Sequence, residues 1–222
     1  FDVAIGNVPF GDYKLSDKKY NKHNFLIHDY FFAKTLDKVR PGGVVAFITS
    51  SGTMDKRNSK VRQYIAQRAD LVGAIRLPNN AFLKNAGTEV TADILFLQKR
   101  DRMTDIMPDW VHLGTLENGI AVNQYFVDNP DMILGEMQTV SGPFGPTPTC
   151  MPYDDVPLSE QLNEAINNIH ATITEYEFDD VSNDEELTIP ADPDVRNFSF
   201  TLVDGDVYFR ENSIMRKVEL NA

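Results

Sequence analysis

A chain of 222 residues, 42% of them hydrophobic, is long enough for one sizeable domain or a domain with an appendage. No apolar run approaches the ~18 residues needed to cross a bilayer, and no charged-then-apolar leader is present, so a membrane partner is not expected. The formal charge of -12 is uneven: residues 1–110 hold 17 Lys and Arg against 12 Asp and Glu, whereas residues 111–222 hold 4 against 21, so only the first half can face phosphates and the second would repel them.

The chain opens at Phe1, without a starting methionine, and the expectation is a piece of a longer protein. Val3 to Ile5 is a short apolar run that stops at Gly6-Asn7-Val8-Pro9-Phe10-Gly11. This reads as a buried strand entering a tight, exposed turn. Such a turn at the carboxyl end of a sheet strand presents side chains and carbonyls to a ligand crevice. An exocyclic amine on a nucleobase is a poor nucleophile because its lone pair is delocalised into the ring. Two acceptors set against its two hydrogens keep that lone pair directed outward. The Asn7 side-chain oxygen and the Val8 carbonyl are such a pair, and Phe10 offers a flat surface to a base swung out of its stack. A plain strand-to-loop turn is the alternative.

The polar stretch Asp12 to Asn24 interleaves Lys18 and Lys19 with Tyr13 and Tyr20. Those residues could grip a DNA backbone and stack on bases, or form a solvated loop. A helix is predicted over Asn24 to Val39, with Asn24 as N-cap and Pro41-Gly42-Gly43 as its stop. His28 inside it reads as a packed core residue. Val44 to Thr49 is a continuous apolar run, typical of a central strand. Strand, helix, strand in this order implies parallel pairing, so the following loop emerges on the same edge as Asn7. There Ser50 and Thr53 could touch ligand and Lys56, Arg57 and Lys60 could reach phosphates; helix capping is the alternative for the hydroxyls. Ser59 to Arg68 is a second helix and Leu71 to Leu77 a third strand, which delivers Asn79 and Phe82 to that edge again. Ala92 to Lys99 is a fourth strand with no room for a crossover helix before it, so it should pair antiparallel.

The class is therefore α/β: three parallel strands, two helices and an antiparallel closing strand. The opening turn resembles motif IV of the amino-group DNA methyltransferases, Asn-Pro-Pro-Tyr/Phe. Val8 stands where the first proline is usual; the carbonyl remains and the stiffening ring is gone. Arg40 to Ile48, Leu77-Pro78 with Phe82, and Asp93 to Lys99 look like further motifs of gamma-order N6-adenine methyltransferases. That group includes type I modification subunits and the large helicase–methylase fusion proteins of bacterial mobile elements. Gly-Asn-Val-Pro-Phe-Gly, with Ile27 to Phe32 after it, looks closest to the fusion proteins. The resemblance covers about 100 residues. It implies a partial Rossmann-like methyltransferase sheet, S-adenosylmethionine as cofactor and adenine N6 in DNA as acceptor. Asn7, Val8, Pro9 and Phe10 would be the catalytic turn, with Asn7 also at the edge of the cofactor site. Lys18, Lys19, Tyr20, Ser50, Thr53, Lys56, Arg57, Asn79 and Phe82 would face DNA.

In this fold the donor sits on a glycine-rich turn after the first strand, and none is present. Gly142-Pro143-Phe144-Gly145-Pro146 bears glycines, but its prolines remove the donors such a turn needs. In gamma order the turn precedes motif IV. The expected partner is thus a missing N-terminal half of the same protein, and weak or no cofactor binding is expected without it.

Thr104 to Pro152 reads as irregular, with Trp110, a helix start at Asn129-Pro130-Asp131 and a loop over Ser141 to Pro148. Ser159 to Tyr176 is an amphipathic helix with Leu158, Leu162, Ala165, Ile166, Ile169 and Ile173 on one face. Glu175 to Asp194 is strongly acidic and reads as a flexible linker. Phe198 to Val203 and Val207 to Arg210 flank Asp204-Gly205 as a hairpin. The expected divisions are 1–103, the C-terminal half of a catalytic domain; 104–176, an extension; 177–194, the linker; and 195–222, the hairpin. The single cysteine, Cys150, excludes an internal disulfide and fits a reducing, cytoplasmic compartment. His23, His28, His112 and His170 are scattered, and no cluster has metal-ligand spacing. Alternatives to adenine are cytosine N4, RNA guanine N2 or a protein glutamine amide. A non-catalytic scaffold in a helicase-like protein is the alternative from another class. The sequence specifies neither a target site nor an oligomeric state.

Overall fold

Four apolar strands meet in one sheet because each brings a face that must leave water. In the computed structural model, residues 1–142, 145–171 and 188–218 are described. The chain divides into two units, Phe1–Glu175 and Tyr176–Ala222. The first holds β1 (Val3–Asn7), α1 (Ile27–Leu36), β2 (Val44–Ser50), α2 (Gly52–Asp55), α3 (Lys60–Ala66), β3 (Ala69–Leu77), α4 (Leu83–Ala86) and β4 (Ala92–Lys99). Then come β5 (Leu113–Thr115), β6 (Ala121–Asn123), α5 (Gln124–Asp128), β7 (Glu136–Gly142), β8 (Gly145–Met151) and α6 (Leu158–Asn167).

The sheet order is β1-β2-β4-β3. β1 and β2 pair in parallel, from Val3 opposite Val44 to Asn7 opposite Ile48. β4 is antiparallel to both β2 and β3, so β1, β2 and β3 share one direction. This is the α/β class that the sequence indicated. The antiparallel strand is not at the rim but wedged between β2 and β3, where Leu95 and Leu97 are fully buried. The carboxyl ends of β1, β2 and β3 therefore lie on one edge.

Several boundaries differ from expectation, each for a local reason. β1 is not a buried strand: Val3 is 55% and Ile5 80% exposed, on the one face they share with the exposed Asn7, while Ala4 and Gly6 on the other face are half-buried. α1 starts at Ile27 with Leu26 as N-cap. Asn24 is not that cap; it sits in the left-handed region (φ 58), which an asparagine tolerates, and closes a 3-10 turn over Asn21–His23. In the Pro41-Gly42-Gly43 stop, Gly42 takes φ 73, and a Cβ on Gly43 would lie 2.8 Å from the Asp2 carbonyl. Both positions need glycine to let β1 and β2 close up.

The segment from 104 onward contributes Trp110, Val111, Val122, Phe126, Met132 and Cys150 to the same core as the sheet. Two fully buried arginines tie it there. Arg62 donates from Nε to the Val111 carbonyl (2.8 Å). Arg76 donates to both oxygens of Asp93 (2.8 and 2.9 Å), lies 2.8 Å from Asp55 Oδ2, and sits over the Phe126 ring. Burial alone would lower the Arg76 pKa, but Asp93 and Asp55 outweigh it and hold the guanidinium above its ordinary range.

The loop expected over Ser141 to Pro148 is instead part of a two-stranded ribbon, with Thr139 opposite Pro148 and Ser141 opposite Pro146. The two prolines are two residues apart, so both ring nitrogens point to the outer edge, where no ladder donor is required. Residues 143 and 144 of the glycine–proline stretch lie outside the described residues. The Asn129-Pro130-Asp131 start is a single 3-10 turn, Pro130–Met132, with proline at its first position. α6 ends at Asn167; Ala165 is buried and Ile169 packs beside Gly73, but Ile166 is 52% exposed rather than on the packed face. Ile173 and Tyr176 lie outside the described residues.

In the second unit, β10 (Phe200–Val203) and β11 (Asp206–Glu211) form the expected hairpin. Asp204 and Gly205 both take positive φ, as a primed two-residue turn requires. The hairpin is half of a sheet completed by β12 (Ile214–Lys217) and β9 (Thr188–Pro190), in the order β10-β11-β12-β9. β9 comes from the stretch read as linker, whose residues 177–187 lie outside the described residues.

Cys150 is fully buried, and burial pushes its thiol up to about 12. It should therefore resist iodoacetamide at pH 8 in the native chain and react promptly in denaturant. Rapid native labelling, followed by mass spectrometry, would contradict this placement.

Candidate functional site

The turn after β1 is shaped by one main-chain bond. The Val8 amide donates to the Ile48 carbonyl (3.1 Å), which extends the parallel ladder one residue past Asn7. The Val8 side chain is buried, at 4% exposure, while Asn7, Pro9 and Phe10 are exposed. A proline could not make that bond. Here the stiffness that a ring would supply comes from an added hydrogen bond and a side chain set in the core.

Asn7, Val8, Pro9 and Phe10 line one wall of a cleft of ≈ 420 Å³. Phe82, Ala86, Thr88 and Val90 line the other. The volume suits a small-molecule or base-sized ligand. The second wall is the connection between β3 and β4, and it is held at both ends. The Asn79 amide donates to the Cys150 carbonyl (2.8 Å), and the Cys150 amide donates to Thr91 Oγ1 (2.9 Å). The Val90 amide closes the loop on the Asn79 carbonyl (2.8 Å). β8 thus clamps the wall that carries Phe82.

The other expected site residues divide. Phe82 lines the cleft. Asn79 does not; its backbone is spent in the clamp. Tyr20 is buried, its hydroxyl donates to Asp37 and its ring packs edge-on against Tyr30, so it cannot stack on a base. Thr53 is buried 2.8 Å from Thr49 Oγ1. Ser50 Oγ accepts from the Gly52 amide (3.2 Å), a local cap. Lys19 is exposed with its ammonium 2.6 Å from Asp37; Lys18 and Arg57 are exposed. Lys56 lies 3.9 Å from Asp29 and faces a separate crevice. His28 is buried, as read. Sequence reasoning missed Ala86, Thr88 and Val90, which have no motif; only their place between two strand ends at this edge marks them.

S-adenosylmethionine, implied by the resemblance, needs a glycine-rich strand-to-helix turn and a carboxylate for its ribose. The turns at this edge are Asn7 to Gly11, Ser50 to Gly52 and Leu77 to Asn79, and none is glycine-rich. The described residues do not make a donor site. Among them no three His, Cys, Asp or Glu converge as a metal would require, and no helix is long and apolar enough to cross a membrane.

Residues 1–82 match the profile of the Eco57I restriction-modification methylase family. The chain is 34% identical over 132 residues to Defense against restriction protein B of Escherichia phage P1, a match that covers 57% of this chain and 6% of that protein. A structure described as a class I S-adenosylmethionine-dependent methyltransferase from Listeria monocytogenes overlaps 48% of this chain and 33% of its own, with 25% identity and a TM-score of 0.36. One described as the modification subunit of a type I restriction enzyme from Vibrio vulnificus overlaps 46% and 23%, with 24% identity and a TM-score of 0.37. The chain therefore spans a small part of the curated relative and a third or less of these structures.

Proposed function

We propose that this chain is the amine-orienting portion of a DNA adenine-N6 methyltransferase, with S-adenosylmethionine bound by another portion of a longer protein. The observation that carries the reading is the cleft itself, with the Asn7 to Phe10 turn facing Phe82 across a space suited to a flipped base. The Asn7 side-chain oxygen and the Val8 carbonyl accept the two amine hydrogens. As the nitrogen lone pair is drawn toward an electrophile, the N–H bonds become more polar and both hydrogen bonds strengthen. That differential is what lowers a barrier. Phe10 and Phe82 hold the base plane and exclude water. The match of residues 1–82 to restriction-modification methylases supports the reading. So does the likeness to a phage protein far longer than this chain, since that is where a donor portion would be carried. DNA is the proposed partner, with Lys18 and Arg57 as exposed cations for its backbone and a reducing, cytoplasmic setting for the work.

The test is a nucleoside analysis of DNA incubated with the full-length protein and S-adenosylmethionine. N6-methyladenine is the expected product. N4-methylcytosine, with adenine untouched, would overturn the adenine assignment. A second reading, a non-catalytic scaffold, is favoured by Val8 in place of proline; it predicts no methylated nucleoside at all.

A further inference from the structure

A groove of ≈ 400 Å³ lies between α6 and the segment from Pro130 to Leu134. It shares no lining residue with the cleft at Asn7. α6 presents Gln161, Glu164, Ala165 and its cap Asn168 to the groove, the spacing of one helix face. Ile133, Leu134 and Ala165 are buried and form an apolar floor. Tyr153 and Val156 also line it, yet they are 49% and 41% exposed.

The charge around this groove is of one sign. Residues 103–171 carry ten Asp and Glu and no Lys or Arg. Asp131 and Glu164 line the groove, and Asp154, Asp155 and Glu160 flank its lining residues in sequence. All five are exposed, and among the described residues none has a cation within ion-pair distance. Such a surface repels phosphate and does not suit a nucleic acid. Among the described residues no three such groups converge as a metal ion would require. Apolar side chains left in water beside unpaired carboxylates fit a guest that carries both apolar surface and positive charge.

Gln161 is the second, independent observation. It is 9% exposed and lines the groove, and its Nε2 donates to the Val156 carbonyl (3.0 Å). That bond fixes the amide, and Oε1 is left with no hydrogen-bond partner. This oxygen is not sealed from solvent, so a donor entering the groove can reach it. An oriented, unpartnered acceptor suits an N–H of an ammonium, a guanidinium or a peptide backbone.

We propose that this groove docks a Lys- or Arg-bearing segment of a separate protein. An apolar side chain of the guest sits on Ile133, Leu134 and Ala165, beside Tyr153 and Val156. Its cations meet Asp131 and Glu164, and one N–H reaches Gln161 Oε1. Complementary rim charges speed the encounter of two free molecules, whereas a segment tethered in the same chain is already held at high effective concentration. A separate partner is therefore the occupant that this excess of carboxylates serves. The inference does not rest on methyl transfer, and its test reads binding alone.

The test is fluorescence anisotropy of a labelled peptide of about twelve residues, half lysine and half leucine, with the 222-residue chain. A lysine–serine peptide of equal length and charge should bind about tenfold more weakly, the loss of one buried leucine side chain. Asp131→Lys and Glu164→Lys should each weaken the lysine–leucine peptide about tenfold, by reversing a rim charge. Asp105→Lys makes the same charge change beside Thr104, whose amide bonds to Gln67 just before β3, whereas the groove floor meets β3 at Arg76 near its other end. It should alter affinity less than about twofold. Tyr153→Ser should narrow the gap between the two peptides. Circular dichroism of each variant separates lost binding from lost fold. The full-length protein should bind the lysine–leucine peptide as well. Its failure to do so would assign the groove to a tethered segment, and a dimer of the chain dispersed by Glu164→Lys would assign it to a second copy; either overturns the proposal. Equal binding of the two peptides, equal effects of the groove and Asp105 variants, or no binding of either peptide would also overturn it.

Discussion

Replacing Asn7 with Ala in the full-length protein should lower the rate of adenine methylation by on the order of 10²–10³, the cost of deleting one preorganised hydrogen-bonding group from a reacting centre. Stability should change by less than about 0.5 kcal/mol, because the Asn7 side chain is exposed at the cleft rim. The combination matters more than either number. A structural residue would lose both together, and a surface bystander neither. Asn7→Asp keeps the shape and one acceptor oxygen but replaces the amide NH2 with a second, charged oxygen, so it should also lose rate without unfolding. Normal N6-methyladenine formation by Asn7→Ala, read by nucleoside mass spectrometry, would remove this residue from the chemistry.

The largest stability effect should come from the buried ion group. Arg76→Met leaves Asp93 fully buried without its bidentate partner, and Asp93→Ala leaves Arg76 leaning on the partly exposed Asp55. Breaking a buried pair from one side costs about 3–5 kcal/mol, against a typical total of about 5–15 kcal/mol. Either variant should therefore unfold at a markedly lower urea midpoint at ambient temperature. The double change Arg76→Met with Asp93→Leu should cost clearly less than the two singles summed, since no lone charge remains. A single variant that loses under about 1 kcal/mol would show that water reaches the site. The group joins three chain segments: Asp55 after β2, Arg76 on β3 and Asp93 on β4. Asp55 Oδ1 also accepts from the Asn123 amide (2.9 Å), so the extension should loosen along with the sheet.

What the sequence reveals follows from where the forces are local. β4 spans Ala92 to Lys99 as expected, its apolar Ile94 to Leu97 held between two neighbouring strands. The hairpin at Asp204-Gly205 is equally plain, since two positive φ values in succession leave few residue choices. The strand-edge argument brought Asn7, Phe10 and Phe82 to one cleft. It failed for Thr53, and the reading of the polar stretch failed for Tyr20; their polar atoms suggest a surface role but find partners at Thr49 and Asp37. Pairing of that kind is invisible until the chain has folded. The β7–β8 ribbon was hidden by prolines that usually mark loops; only a strand with a free outer edge accepts them.

The stitch between Cys150, Asn79 and Thr91 has a mechanical consequence. A gate needs one unfastened side, and the Phe82 segment is fastened at both. Admission of a bulky guest must then depend on give in the opposite jamb, at Pro9 and Phe10, beyond the point where Val8 is pinned. Sequence drift at position 91, whose hydroxyl is the one side chain in the stitch, would warp the doorway without altering a single residue that faces the guest.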